Sequence, residues 1–255
     1  MSAETHSVLY TVDGHIARIT LNRPDKRNAL NDELIAGLKV SVCEADRDDR
    51  VRVAVISGAG KDFCSGADLS ALQKIAEASV TENQDDARRL MELFVTIREV
   101  KVPVVAAVQG RALAGGCGLA TACDLVLASS SAQFGYPEVK IGFVPAMVLA
   151  ILRRSVSEKI AFELITLGNR LSAHEAKRVG LVNQVFSDET FVADVDKYLD
   201  GFGQTSRSAV ALAKKLLYQI DGLDLNAALE AGVDVNVIAR MTEDCKEGIA
   251  QFLKK

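Results

Sequence analysis

The stretch "AAVQGRALAGGCGLATACD", residues 106–124, runs an apolar strand into a cluster of glycines and leaves through a helix of small residues. Gly115, Gly116 and Gly118 leave the backbone bare at this strand-to-helix turn. Glycine there can serve an unusual φ, tight packing of helix on sheet, or exposed N–H groups at the positive start of a helix, ready for an anion. Only the third use concerns function, and the stretch alone does not choose among them.

Outward from it the chain alternates. "SVLYTVDGHIARITLN" (7–22) reads as a hairpin about the turn signal Asp13-Gly14. Asn31 is a plausible cap for the helix "DELIAGLKVSVCEADRD" (32–48), with Leu34, Leu38 and Val42 on one face, and "VRVAVISG" (51–58) reads as a buried strand. "AGKDFCSGADLSALQKI" (59–75) is a loop entering a short helix at about Asp68. "TENQDDARRLMELFVTIREV" (81–100) is amphipathic in its second half and expected to be mobile in its first. "VPVVAAVQG" (102–110) and "DLVLAS" (124–129) are further strands flanking the glycine turn. Alternation of this kind to about residue 143 predicts an α/β fold with parallel strands joined by right-handed crossovers. From Pro145 the sequence turns mostly helical. A β/α core over 1–190 and a helical C-terminal subdomain over 191–255 are expected, with no repeat at a fixed period.

Composition narrows the chemistry. The 255 residues are 49% hydrophobic, ample for a core, and carry a formal charge of −4 with 5% aromatics and no Trp. Neither an electrostatic footprint for nucleic acid nor a row of stacking rings is present. An anionic ligand would have to be met by local cations such as Lys26, Arg27 and Lys61. The five cysteines show no CxxC pairing and no nearby His, which argues against a disulfide framework or a zinc site and for a reducing, cytoplasmic setting. The start "MSAETHSVLYTVDG" has no targeting pattern, and no run reaches membrane-spanning length, so a membrane partner is not expected.

The three histidines, His6, His15 and His174, make His-centred catalysis improbable. "FCSGAD" lacks the GxSxG spacing of a nucleophile elbow, and Cys64 has no partner base. "GGCG" has Thr121 where a dinucleotide fingerprint needs its last glycine. No Asp/His cluster suggests a metal. Two turns remain, "CSGADL" and "LAGGCGL", each with a peptide N–H near a helix start. Converging on one point, they would form an oxyanion hole, in which each donor is worth about 3 kcal/mol to a developing enolate. Taken singly, each is also an ordinary helix cap.

Six blocks then stand in order: "LNRPDKRNALN" (21–31), "SGAGKDFCSGADL" (57–69), "PVVAAVQGRALAGGCGLATACDL" (103–125), "AQFGYPEVKIGFVP" (132–145), "LGNRLSAHEAKRVGLVNQV" (167–185) and "TEDCKEGIAQFLKK" (242–255). The set resembles the enoyl-CoA hydratase/isomerase, or crotonase, family over nearly the whole chain. The resemblance implies a crotonase-like spiral of ββα units that forms a homo-oligomer, trimer or hexamer, through its C-terminal helices. It implies an acyl-CoA thioester as substrate, the CoA being part of that substrate and no separate cofactor being needed. By position, the oxyanion donors are the N–H groups of Ala67 and Gly115. Lys26, Arg27 and Ala29 match a loop passing the CoA adenine and pantetheine. Ser65, Asp68 and Leu69 line the same channel with Gly116, and Phe252 and Lys255 match positions that reach a neighbouring subunit's adenine and phosphate region. On this reading the bare backbone at 115–118 meets a thioester oxygen.

The family's hydratases hold two glutamates over the α,β bond. One matches Glu138 in "GYPEVKIG" (135–142); the other's place is taken by Gly118. Water addition divides its proton transfers between two carboxylates, whereas one can carry a proton from carbon to carbon of a bound enolate. The resemblance therefore implies double-bond isomerisation ahead of hydration, with a non-catalytic acyl-CoA-binding subunit as a reading from another class. Ala146 stands where dienoyl isomerases add an aspartate, and "VPAMVLAI" replaces a glycine-rich run and adds Met147 to the acyl pocket. Asp124 is expected to anchor a helix-to-strand turn, Asp68 to cap and wall, and Arg111 to be a loop charge.

Overall fold

The computed structural model describes residues 6–254, and for 69–72 the backbone only. The chain opens with the antiparallel hairpin β1 (Val8–Asp13) and β2 (Ile16–Leu21), turned at Gly14 with φ +57°. Then follow α1 (Asp32–Arg47), β3 (Val53–Gly58), α2 (Leu69–Glu77), α3 (Val80–Glu99), β4 (Val104–Val108), β5 (Arg111–Leu113), α4 (Gly115–Ala122), β6 (Leu125–Ser129) and β7 (Gln133–Gly135). The second half comprises α5 (Ala146–Ser155), α6 (Glu158–Leu167), β8 (Arg170–Ser172), α7 (Ala173–Arg178), β9 (Gln184–Phe186), α8 (Phe191–Asp200), α9 (Arg207–Gln219), α10 (Leu225–Met241) and α11 (Glu243–Phe252).

The spiral is visible in what pairs with what. The main sheet has the order β1-β2-β3-β4-β6-β9, parallel from β2 onward. After each long strand the chain turns and lays a shorter extended piece on the equivalent piece of the next turn. Leu30 bridges Ala67, Cys64 bridges Ala112, and β5 pairs with β7, which pairs with β8. The turns differ in length, as the partners Ile16↔Val53, Ala54↔Val104, Val105↔Leu125 and Leu127↔Gln184 show. A structural repeat is present without any fixed sequence period.

Both faces of the sheet are buried, so its strands read as apolar runs rather than as alternation. Ala17, Ile19, Ala54, Ile56, Val104 and Ala106 face the core beneath α1 and α3. Their neighbours Ile16, Val53, Val55, Val105 and Leu127 face the other way, onto Phe191, Val195 and Leu199 of α8. Thus the first helix after residue 190 packs on the sheet, while α10 carries exposed Leu225, Leu229, Val233, Val237 and Met241. Asn31 caps α1 by accepting from the Leu34 N–H at 2.9 Å. Residues 81–90, expected to be mobile, belong to α3, which Ser79 and Glu82 open with a reciprocal capping box. Among the described residues, no helix is long and apolar enough to cross a membrane.

Asp124 ties the annex to the spiral. Its carboxylate accepts from the Val104 N–H (2.6 Å) and the Tyr218 hydroxyl (2.7 Å), and pairs with Lys214 Nζ at 2.7 Å. Buried Lys214 also donates to the carbonyls of Ile97 (2.8 Å) and Val102 (3.0 Å). Burial lowers the Lys214 pKa against the pull of Asp124. Removing one partner of such a pair leaves an uncompensated buried charge, at a cost of about 3 kcal/mol or more. Lys214→Met should therefore lower the denaturation midpoint strongly, whereas Lys39→Met, which breaks the exposed pair with Glu92, should barely move it. Equal midpoints for the two variants would show that the buried pair does not hold α9.

Candidate active site

Three loops at one end of the sheet are stitched backbone to backbone. Arg27 (φ 52°) and Asn28 (φ 54°) take left-handed conformations that fold the first loop back on itself. Fully buried Asn28 accepts from the Arg23 N–H and donates to the carbonyls of Ala59 (2.9 Å) and Asp62 (2.7 Å), fastening this loop to the second. The second is fastened to the third by Cys64 N–H to Arg111 O (3.0 Å) and Leu113 N–H to Cys64 O (3.0 Å). Asp62 accepts from the Arg111 backbone N–H and from Nε and Nη2 of its guanidinium, which hold its carboxyl below the usual range. Arg111 is thus the partner of a buried carboxylate rather than a loose loop charge.

This stitching brings the backbone of Ala67 and that of Gly115 to one cavity. Leu30 N–H donates to Gly66 O, and Asp68 N–H donates to Leu30 O, so the intervening Ala67 N–H points away from that bridge. Gly66 takes φ +101°, and a Cβ on it would lie 2.8 Å from Ala114 Cβ. Ala114 itself adopts φ 50°, ψ −127°, a strained conformation for a residue with a side chain, and α4 starts at the next residue. Gly115, at the first helical position, carries one of the N–H groups that have no partner inside the helix. Ala67 and Gly115 both line a cavity of about 580 Å³.

Glu138 stands on the same cavity, on a single 3₁₀ turn (Pro137–Ile141) opened by Pro137 and closed by Gly142 at φ 76°. Its Oε2 is buried with no hydrogen-bond partner among the described residues, and desolvation pushes its carboxyl above the ordinary glutamate range. The two other carboxylates on the cavity wall are engaged. Asp32 lies 3.1 Å from Lys74 and 3.6 Å from Arg89, and Asp86 accepts from Arg89 at 3.2 Å. Leu90, Ile35, Met147, Val148 and Phe143 make much of the remaining wall apolar. Cys64 and Cys117 are buried, and burial pushes both thiols up to about 12, far from a nucleophile's range.

The glycine cluster divides its work. Gly115 borders the cavity, but Gly116 is bare because the Cys64 carbonyl and side chain lie where its Cβ would be. A Cβ on Gly118 would overlap the Val148 Cγ2 methyl and approach Phe94 Cζ to 3.3 Å. Two of the three glycines therefore serve packing, which corrects the expectation that all three bare the backbone for a ligand.

Of the site residues expected from the sequence, Ser65, Ala67, Gly115 and Glu138 line the cavity. Lys26 and Arg27 are exposed on the first loop, next to Ser65 through Ser65 N–H to Arg27 O (3.0 Å), but do not form the cavity wall. Ala29 is buried; Asp68 is buried and paired with Arg23 at 2.7 Å; Gly116 faces Cys64 and not the cavity. Leu69 opens α2 with its side chain outside the described residues, Phe252 is exposed at the end of α11, and Lys255 lies outside the described residues. Sequence reasoning missed Asn28 and the exposed apolar rim of Ile141, Phe143 and Val144. The rim had one readable signal, an apolar "IGFV" run bounded by charge and proline. Among the described residues, no group of three or more His, Cys, Asp or Glu side chains could hold a metal ion.

Known proteins share this sequence and this fold. Residues 11–255 match the family model for Enoyl-CoA hydratase/isomerase. A relative from Thermus thermophilus is 39% identical over 95% of this chain and 96% of its own. The crotonyl-CoA hydratase of Syntrophomonas wolfei is 33% identical, covering 98% of this chain and 95% of that protein. The 2,3-dehydroadipyl-CoA hydratase of Escherichia coli is 34% identical, covering 93% and 91%. The crystal structure of an enoyl-CoA hydratase from Mycobacterium smegmatis superposes with a TM-score of 0.92 at 30% identity, over 97% of this chain and 96% of that one.

The overlap at Gly118 has a measurable consequence. Gly118→Ala should destabilise by about 1–3 kcal/mol, as overpacking does, because the stiff Val148 side chain cannot swing aside. Adding Val148→Ala should recover much of the loss. A Gly118→Ala protein that melts with the parent would mean that Val148 does not fill this space.

Proposed function

The chain belongs to the enoyl-CoA hydratase/isomerase family, and from that premise we propose that it shifts the double bond of an enoyl-CoA thioester, using two backbone donors and a single carboxylate. The thioester oxygen lies between the N–H groups of Ala67 and Gly115. Ionised Glu138 takes a proton from C2 of a 3-enoyl ester, the electrons pass to the oxygen as a dienolate, and the same carboxyl returns the proton to C4, leaving the 2-enoyl ester. Both donors act on charge that develops only in the transition state. The carrying observation is at Gly118: the space of a second acid is occupied by Val148 and Phe94, while Asp32 and Asp86 are engaged by Lys74 and Arg89.

A second reading, water addition to a 2-enoyl-CoA, is favoured by the names of the Syntrophomonas wolfei and Escherichia coli relatives. It asks Glu138 alone to handle the water and the C2 proton. Lys26 and Arg27 supply cations beside the cavity for the CoA phosphates. Assembly into a trimer or hexamer belongs to the same proposal, supported by the exposed row Leu225, Leu229, Val233, Val237 and Met241, one turn apart along α10. The five thiols are free, in keeping with a reducing, cytoplasmic setting.

Product mass separates the two reactions: incubation with 3-enoyl- and 2-enoyl-CoA esters leaves mass unchanged on isomerisation and adds one water on hydration. Rapid hydration with no isomerisation would overturn the first reading. Under either, Glu138→Gln should lower kcat by about a hundredfold or more without lowering the denaturation midpoint at neutral pH. The midpoint holds because a raised carboxyl pKa means that the ionised side chain costs stability above its unfolded value, and glutamine removes that cost. The base works ionised, so wild-type kcat/KM should fall as pH drops through a value above the ordinary glutamate pKa of about 4.3. Activity undiminished down to that value would place the working base elsewhere.

A further inference from the structure

Tyr136 is fully buried, and its hydroxyl lies 2.7 Å from Thr121 Oγ1. Thr121 donates its one proton to the Cys117 carbonyl at 2.8 Å, one turn back along α4. A carbonyl only accepts, so the tyrosine hydroxyl is the donor to Thr121. A phenylalanine would fill the same volume; the hydroxyl adds a directional bond inside the core.

The pair joins the two segments that carry the chemistry. Thr121 is on α4, whose first residue is Gly115, and Tyr136 lies two residues before Glu138, at the entrance to its turn. A second bond, Ala114 N–H to Gly135 O at 2.8 Å, joins the same segments at the other end of α4. One bond alone would leave the turn free to pivot against the helix, whereas two bonds at opposite ends of a rigid rod fix the angle. From below, Gly168 packs so closely under Pro137 and Val139 that a Cβ on it would come within 3.2 Å of both, and the turn cannot sink away. Neither Tyr136 nor Thr121 lines the cavity.

We propose that the Tyr136–Thr121 hydroxyl pair is a positioning device, which holds the Glu138 carboxylate in register with the Gly115 N–H by locking the turn to α4. It acts through Glu138 and rests on the reading of Glu138 as the group that moves the proton. Buried polar pairs of this kind specify one geometry where apolar packing would allow several.

The test uses the full-length enzyme in D₂O with 3-enoyl- and 2-enoyl-CoA, following turnover of whichever ester reacts and deuterium uptake into the ester by mass. Tyr136→Phe and Thr121→Val should each lower kcat and deuterium uptake about tenfold well below their own denaturation midpoints. KM and the affinity for a saturated acyl-CoA should stay within about twofold. Thr121→Ser, which keeps the hydroxyl, should restore kcat, and the Tyr136→Phe/Thr121→Val double variant should be no slower than either single one. Wild-type kcat in both single variants, or a Thr121→Ser variant as slow as Thr121→Val, would overturn the proposal. A wild-type enzyme that turns over neither ester and takes up no deuterium would overturn the role of Glu138 itself and the proposal with it.

Discussion

The backbone of residues 64–67 lies directly against the backbone of residues 113–116, and the geometry of the site follows from that contact. Leu113 N–H donates to the Cys64 carbonyl, and the absence of a Cβ at Gly116 lets Cys64 sit where a side chain would otherwise be. Gly66 meets Ala114 in the same way from the other loop. Two N–H groups from turns far apart in sequence can border one cavity only at this separation, since any side chain between the loops would push them apart. In the proposed reaction backbone donors suit the task because they are held by the strands behind them and need no reorganisation as charge develops. The strain at Ala114 is sustained by its N–H to the Gly135 carbonyl and by the short sheet on which it ends.

Around those donors the cavity is short of competing polar groups. Glu138 is desolvated and lacks a partner for Oε2, while the other wall carboxylates are engaged by Lys74 and Arg89. Electrostatic interactions strengthen as the local dielectric falls, so in the proposed reaction the Glu138 carboxyl and the two backbone donors gain in effect. The cost is a carboxyl pKa raised by burial, which the surrounding turn tolerates because it is clamped by Phe143 N–H to Glu138 O (3.0 Å) and by the packing of Gly168. Val148 against Gly118 completes the apolar wall and leaves no room for a side chain at that helix position.

The helical annex is attached by a different principle. α9 docks through the buried Lys214–Asp124 pair, with Tyr218 on the second carboxylate oxygen and the Arg98 guanidinium 4.5 Å from its ring centroid. This interaction is directional, so it fixes where α9 lies, while the apolar side chains of α10 stay exposed. Asp124 at the α4-to-β6 turn places the anchor next to the helix that starts the site.

Much of this was legible in the sequence. The hairpin, the Asn31 cap and the β/α alternation follow from local chemistry within a few residues, and the ordered blocks pointed to Ala67, Gly115 and Glu138 at one cavity. What the sequence did not reveal lies between residues distant along the chain. Examples are buried Asn28 bridging to Ala59 and Asp62, Val148 filling the space beside Gly118, Tyr136 donating to Thr121, and α8 covering the second face of the sheet. Three-residue β5 carries too few side chains to show a period, and it exists because β7 is there to pair with it. The sequence by itself determined which helices and long strands form, because caps, turns and apolar runs act over one or two turns of chain. Only the tertiary structure decided that Gly116 and Gly118 are bare for packing and Gly115 for the cavity, since what a missing Cβ makes room for depends on which distant atoms the spiral brings against it.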